Sequence, residues 1–112
     1  MPRKDRLDIA RKRILLVGAT GVLGRVYAEE LAARGASLVV ADRPGSGVQV
    51  LAGELPGKVA AVEIDVADEA SVTRGVREAV DFLGGLDAAI SNAAATGEGL
   101  IGKGNAFAPF EE

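Results

Sequence analysis

The sequence predicts an α/β domain built on a doubly wound parallel sheet, and three observations carry that prediction. Short, continuously apolar runs alternate with segments of helical periodicity. Three glycines, Gly18, Gly21 and Gly24, stand where the first run gives way to the first helical segment. Single polar residues, Asp42, Asp65 and Asn92, stand just past or at the ends of the later runs. Strands alternating with helices at this spacing imply right-handed βαβ units. The expected strand order is 3-2-1-4, which puts the glycine turn beside the crevice where the chain reverses its progression across the sheet.

The chain has 112 residues, 48% of them hydrophobic and 26% charged, a balance that excludes a disordered chain and fits one globular domain. The net charge of -3 leaves no excess of cations for a nucleic-acid backbone. Cysteine and histidine are both absent, which removes disulfides, thiol chemistry, His-dependent nucleophilic pairs and imidazole or thiolate metal sites. No metal site is expected. No apolar run approaches the roughly 20 residues that span a bilayer, and the first residues lack a signal-peptide core, so no membrane association and a cytoplasmic location are expected.

The elements follow in order. Residues 1–12 form a basic lead-in, with Arg3, Lys4, Arg6, Arg11 and Lys12 interrupted by Asp5 and Asp8; a solvated tail is the expected role, with Leu7 and Ile9 holding its second half to the domain. The domain itself is expected over 13–112. Ile14 to Val17 is too short and too apolar for an amphipathic helix and reads as a buried strand. Leu23, Val26, Tyr27 and Leu31 then recur at helical spacing and are expected to face the core, with Gly35 ending the helix. Ser37 to Ala41 is the second strand, closed by Asp42.

Pro44 to Gly47 is a loop, followed by a short helix with Val48, Leu51 and Leu55 on one face, ending at Pro56-Gly57. Gly53 weakens it. Val59 to Ile64 is the third strand, closed by Asp65. Asp68 then caps a helix with Val72, Val76, Val80 and Leu83 on its buried side, terminated by Gly84-Gly85. Leu86 to Ser91 is the fourth strand, running into Asn92-Ala93-Ala94-Ala95, and the glycines and polar residues from Thr96 onward read as loop.

The glycine turn supplies a phosphate site on physical grounds. Glycine permits positive φ and close backbone approach, and the free N–H groups and dipole of the following helix attract an anion. Asp42 lies 24 positions after Gly18, near the offset at which a dinucleotide-binding fold places an acid on the adenosine ribose. A carboxylate there accepts from ribose hydroxyls and repels a 2′-phosphate, which favours NAD over NADP. Arg43 admits two readings, a phosphate contact or an exposed turn residue. Asp65 is either a turn former or a site residue at the third strand end. Asn92, followed by small alanines, leaves room for a flat group and is read as a site residue. A phosphate-binding nucleotidase of the P-loop type is disfavoured, because Arg25-Val26 follows the glycines in place of Lys-Ser or Lys-Thr.

Taken together, GATGVLG after the first strand, ADR after the second, IDVAD after the third and SNAA after the fourth resemble the successive cofactor motifs of the short-chain dehydrogenase/reductase family. The likeness runs from about Leu7 to Glu112 and implies a Rossmann-type sheet truncated before its remaining strands. It implies that Gly18, Thr20, Gly21, Val22, Leu23 and Gly24 hold the pyrophosphate and that Asp42 with Arg43 selects the cofactor. Asp65 and Val66 would border the adenine, and Asn92, Ala93 and Ala94 would run beside the nicotinamide ribose. Two features depart from the commonest members of that family. Val22 stands where they carry glycine, and the catalytic Ser and Tyr-x-x-x-Lys are missing: the single tyrosine, Tyr27, is followed four positions later by Leu31 and is expected in the core.

The resemblance therefore implies the cofactor-binding half of an NAD(P)-dependent oxidoreductase, acting on an alcohol or carbonyl substrate only with residues beyond this stretch. No catalytic residue is assigned within the chain. The alternative is a non-catalytic NAD(P)-binding module or redox-sensing regulator. A fourth strand left at the sheet edge should seek a partner, so a homo-oligomer is expected.

Overall fold

The apolar runs form the strands that their shortness and continuity imply. The computed structural model describes residues 8–92; the lead-in through Leu7 and the stretch from Ala93 onward, with the expectations that fall on them, lie outside that range. Strands β1 (Arg13–Val17), β2 (Ser37–Asp42), β3 (Val59–Glu63) and β4 (Ala88–Ser91) make one sheet in the order β3-β2-β1-β4. All three pairings are parallel, with Arg13 opposite Ser37, Ile14 opposite Ala88, and Leu38 opposite Val59. Helices α1 (Val22–Ala33), α2 (Val48–Glu54) and α3 (Glu69–Leu83) provide the crossovers.

Alternation along the central strands separates two cores. Ile14, Leu16, Leu38 and Val40 pack with α1 and α2 on one face, together with Ala28, Ala32, Val48 and Leu51. Leu15, Val17, Val39 and Ala41 pack with α3 on the other, together with Val62, Ile64, Ala79 and Leu83. Both faces of β1 and β2 are thus covered, which is why these strands read as unbroken apolar runs rather than alternating ones. Ile9 packs against the first core, as expected for the end of the lead-in.

Two helix faces differ from the sequence expectation, for one reason. In α1 the buried residues are Gly24, Ala28 and Ala32, spaced four apart. Leu23, Val26 and Tyr27, expected inside, are 56%, 53% and 41% exposed, and of the four expected core residues Leu31 is the one packed against the sheet. In α3 the most buried positions are Ser71, Gly75, Ala79 and Leu83, one residue earlier along most of the helix than the expected stripe; Val72 and Val76 flank it and are partly buried. Along most of its contact line each helix lies so near the sheet that small side chains fit best, Leu83 at the end of α3 being the exception. A Cβ built on Gly75 would overlap Ile64 Cγ1. Ranking positions by hydrophobicity passes over such residues, because close approach rewards small volume rather than apolar area.

The caps follow the sequence more closely. Asp68 accepts from the backbone N–H groups of Ala70 and Ser71 and opens α3, an arrangement typically worth ~1 kcal/mol. Gly84 closes α3 in the left-handed region. At the amino ends of β1 and β4, Arg13 and Asp87 form a clamp. The Arg13 backbone N–H and Nε donate to Asp87 Oδ2 at 2.8 and 3.0 Å, Nη2 donates to Oδ1 at 2.9 Å, and Nη1 donates to the Gly84 carbonyl at 3.1 Å. These bonds hold the Asp87 carboxyl well below the usual carboxylate range.

Candidate functional site

At the carboxyl end of the sheet three of the four strands hand their next residue to the neighbouring strand. Gly18 N–H donates to Ala41 O at 2.8 Å, Ile64 N–H to Asp42 O at 2.8 Å, and Asn92 N–H to Val17 O at 2.7 Å. These bonds fix where the chain leaves β1, β3 and β4. The connections open a cleft of about 620 Å³ above this edge, within the size range of small-molecule sites.

Of the residues expected at a site, Gly18, Thr20, Gly21, Asp42, Arg43, Asp65, Val66 and Asn92 line the cleft. Val22, Leu23 and Gly24 do not. Val22 is 86% exposed at the start of α1, and Gly24 lies beneath the turn, where a Cβ would overlap Gly18 O and sit 2.9 Å from Ala19 Cα. Ala93 and Ala94 lie outside the described residues. The cleft also takes in Pro44, Gly45 and Ser46, which the sequence offered only as a loop, and Ile64 and Ala67 around Asp65.

The glycine turn leads into an open helix end. Gly18 holds φ at +85°, where a side chain would be strained. Gly21 is the N-cap of α1, and no side chain caps that helix, in contrast to the Asp68 cap of α3. The first-turn N–H groups of α1 therefore remain for an anion, and a side chain at Gly21 would approach only Gly18 O, at 3.9 Å.

Asp42 joins this turn to the one after β2. Its Oδ2 accepts from the Thr20 hydroxyl at 2.6 Å and from the Thr20 N–H at 2.9 Å, and its Oδ1 accepts from the Arg43 N–H at 2.9 Å. Burial pushes the carboxyl pKa up, but the Thr20 bonds, the Arg43 N–H and the Arg43 charge together outweigh it, and the folded value lies below the ordinary one. The sign of the linkage follows. This contribution to stability is present above the ordinary carboxylate range and is lost as pH falls through the depressed folded value.

Asp65 is held by its own turn. Its Oδ1 accepts from Ala67 N–H at 3.0 Å, and its N–H donates to Ser71 Oγ at 2.9 Å. The turn reading of Asp65 and its place on the cleft are thus both realised. Ser71, which no motif singled out, is buried and fixes that turn. Ser46 Oγ is, among the described residues, a buried side-chain polar atom with no protein partner, and it belongs to a residue on the cleft wall.

A parallel sheet in the order 3-2-1-4, with an uncapped glycine turn at one strand end and an ionised acid at the next, defines a Rossmann-type α/β domain with a cleft suited to a dinucleotide. The family model described as short chain dehydrogenase matches residues 12–111. The chain belongs to the short-chain dehydrogenase family. It is 42% identical over 77 residues to 3-hydroxyacyl-CoA dehydrogenase type-2 of Drosophila melanogaster, a match covering 69% of this chain and 30% of that protein. It is 35% identical over 89 residues to sorbitol dehydrogenase of Cereibacter sphaeroides, covering 80% of this chain and 34% of that one. Its fold superposes on 3-ketoacyl-(acyl-carrier-protein) reductase of Brucella melitensis, solved with NADH, with a TM-score of 0.68 at 32% identity over 72% of this chain and 34% of that one. The chain thus spans about a third of the length of these relatives. Among the described residues no helix is long and apolar enough to cross a membrane.

Proposed function

We propose that this chain is the cofactor-binding portion of an NAD(P)-dependent short-chain oxidoreductase, with NAD preferred to NADP. The nicotinamide, when bound, supplies the hydride acceptor or donor for an alcohol or carbonyl substrate. The observation that carries the reading is Asp42, fixed and ionised at the cleft between Thr20 and Arg43. The residues suit the group. The uncapped start of α1 at Gly21 offers N–H donors to a pyrophosphate, Asp42 offers an acceptor site to the adenosine ribose, and Val66 with the Arg43–Ser46 turn offers walls for the adenine. The carboxyl end of β4 at Asn92 takes the nicotinamide side. The Ser46 hydroxyl, lacking a protein partner, is a further polar group on the adenosine side.

Calorimetry with each cofactor tests the reading. Asp42→Ala is expected to weaken NAD binding about 10- to 100-fold, the range for a hydrogen bond to a charged group, and to weaken NADP much less, narrowing the preference. A wild-type chain that binds neither dinucleotide overturns the reading, and an unchanged preference in Asp42→Ala removes this residue from it.

We also weigh a second reading, a non-catalytic NAD(P)-binding module. The single tyrosine of the sequence, Tyr27, lies on α1 with Leu31 four positions on and is not among the residues lining the cleft. This reading requires NAD affinity without oxidation or reduction of any alcohol or carbonyl compound, measured at the nicotinamide absorbance.

Among the described residues β4 is an edge strand, and α1 exposes Leu23, Val26 and Tyr27 beside the sheet. We therefore propose that the chain self-associates. Light scattering is expected to show a dimer or larger species at tens of micromolar, roughly the range where such surfaces meet. A monomer throughout that range overturns this proposal.

A further inference from the structure

The structure assigns to Thr20 the positioning of Asp42, so that hydroxyl and carboxylate together form one acceptor-only surface for a vicinal diol. The inference rests on the dinucleotide reading and adds the residue that sets its selectivity. Three donors already reach the Asp42 carboxylate, two of them from Thr20 and one from Arg43 N–H. An ionised carboxylate has about four acceptor sites, so one remains for a ligand and the threonine oxygen supplies a second acceptor beside it. The proton of Thr20 Oγ1 is committed to Asp42 Oδ2 at 2.6 Å, which leaves that oxygen facing other groups with lone pairs alone. Thr20 and Asp42 both line the cleft.

Two consequences follow for recognition. A ribose with free 2′- and 3′-hydroxyls brings two donors to a surface holding two acceptor groups, the carboxylate and the threonine oxygen. A 2′-phosphate brings only acceptors and negative charge to the same surface. Cofactor choice is thus set by a pair spanning two turns, 22 residues apart in sequence.

The test compares Thr20→Val, Thr20→Ser and the wild-type chain by calorimetry with NAD and with NADP, with a melting curve for each. Thr20→Val keeps the branched shape and the backbone donor but removes the hydroxyl. It is expected to weaken NAD binding about tenfold, the lower end for a hydrogen bond to a charged group, with a smaller change for NADP and a lowered melting temperature, since the hydroxyl bond to Asp42 also stabilises the fold. Thr20→Ser restores the hydroxyl and is expected to restore the preference. Equal losses for both cofactors in Thr20→Val, wild-type binding by Thr20→Val, or a Thr20→Ser chain as weak as Thr20→Val would each overturn the inference while leaving the dinucleotide reading standing. Absence of NAD binding by the wild-type chain overturns both.

Discussion

Replacing Gly24 with valine is expected to destabilise the domain by about 3 kcal/mol or more, at or beyond the upper end of ordinary overpacking. A Cβ at this position overlaps the Gly18 carbonyl oxygen and lies 2.9 Å from Ala19 C and Cα. These are backbone atoms, and Gly18 and Ala19 are themselves tied to Ala41 O by N–H bonds of 2.8 and 3.1 Å. The turn has no flexible side chain that could move aside, so α1 must lift from β1 and the cleft loses its floor. Gly75 is the instructive contrast: its nearest neighbour is the Ile64 side chain, which has some freedom to give. Thermal denaturation followed by circular dichroism checks the expectation. A Gly24→Val chain melting within about 2 °C of wild type would falsify it, since even 1 kcal/mol moves a domain of this size by about 4–8 °C.

Leu16→Ala is expected to cost about 2–5 kcal/mol, the range for removing a fully buried leucine without collapse of the site. Leu16 is inaccessible to solvent on β1, with Val40 opposite on β2 and Ile90 opposite on β4. It lies in the core shared with α1 and α2, so the cavity opens beneath the helix that carries the glycine turn. Stability in small domains is commonly about 5–15 kcal/mol, and such a loss is a large part of it. Urea titration gives the comparison, with Val22→Ser as the reference change. Val22 is 86% exposed, and surface changes of that kind stay within about 0.5 kcal/mol. Equal midpoints for the two variants would show that β1 does not anchor the fold.

The sheet was legible because both faces of its central strands are covered. Leu15 and Leu16 must both be apolar, so β1 could be found without knowing which way either residue points. The strand order followed from the crossover rule and from where the glycines fall. Helix faces were less legible. Apolar spacing in α1 pointed to Leu23, Val26 and Tyr27, whereas contact with the sheet is made through Gly24, Ala28 and Ala32. The polar residues at the strand ends could be read as a group, and Asp42 could be read singly from its offset. The bond from Thr20 to Asp42 could not, because it joins two turns through a hydroxyl whose direction only the folded backbone decides. Ser71 was hidden for a similar reason: a serine inside a helical stretch carries no signal until the Asp65 N–H is seen to reach it.

The clamp between Arg13 and Asp87 has a consequence for the order in which the sheet assembles. Arg13 meets Ser37 of β2 across 24 residues of chain, but meets Asp87 across 74. On the loop-closure scale that difference costs about 1 kcal/mol more for docking β4 than for docking β2. Strands β1, β2 and β3 can zip together through successive short crossovers, while β4 must return past both of them to the far side of β1. The guanidinium–carboxylate bonds reward that return at the end of β4 that enters the sheet, one residue before Ala88 pairs with Ile14. Asn92 follows β4 directly, so its place on the cleft depends on that strand docking against β1.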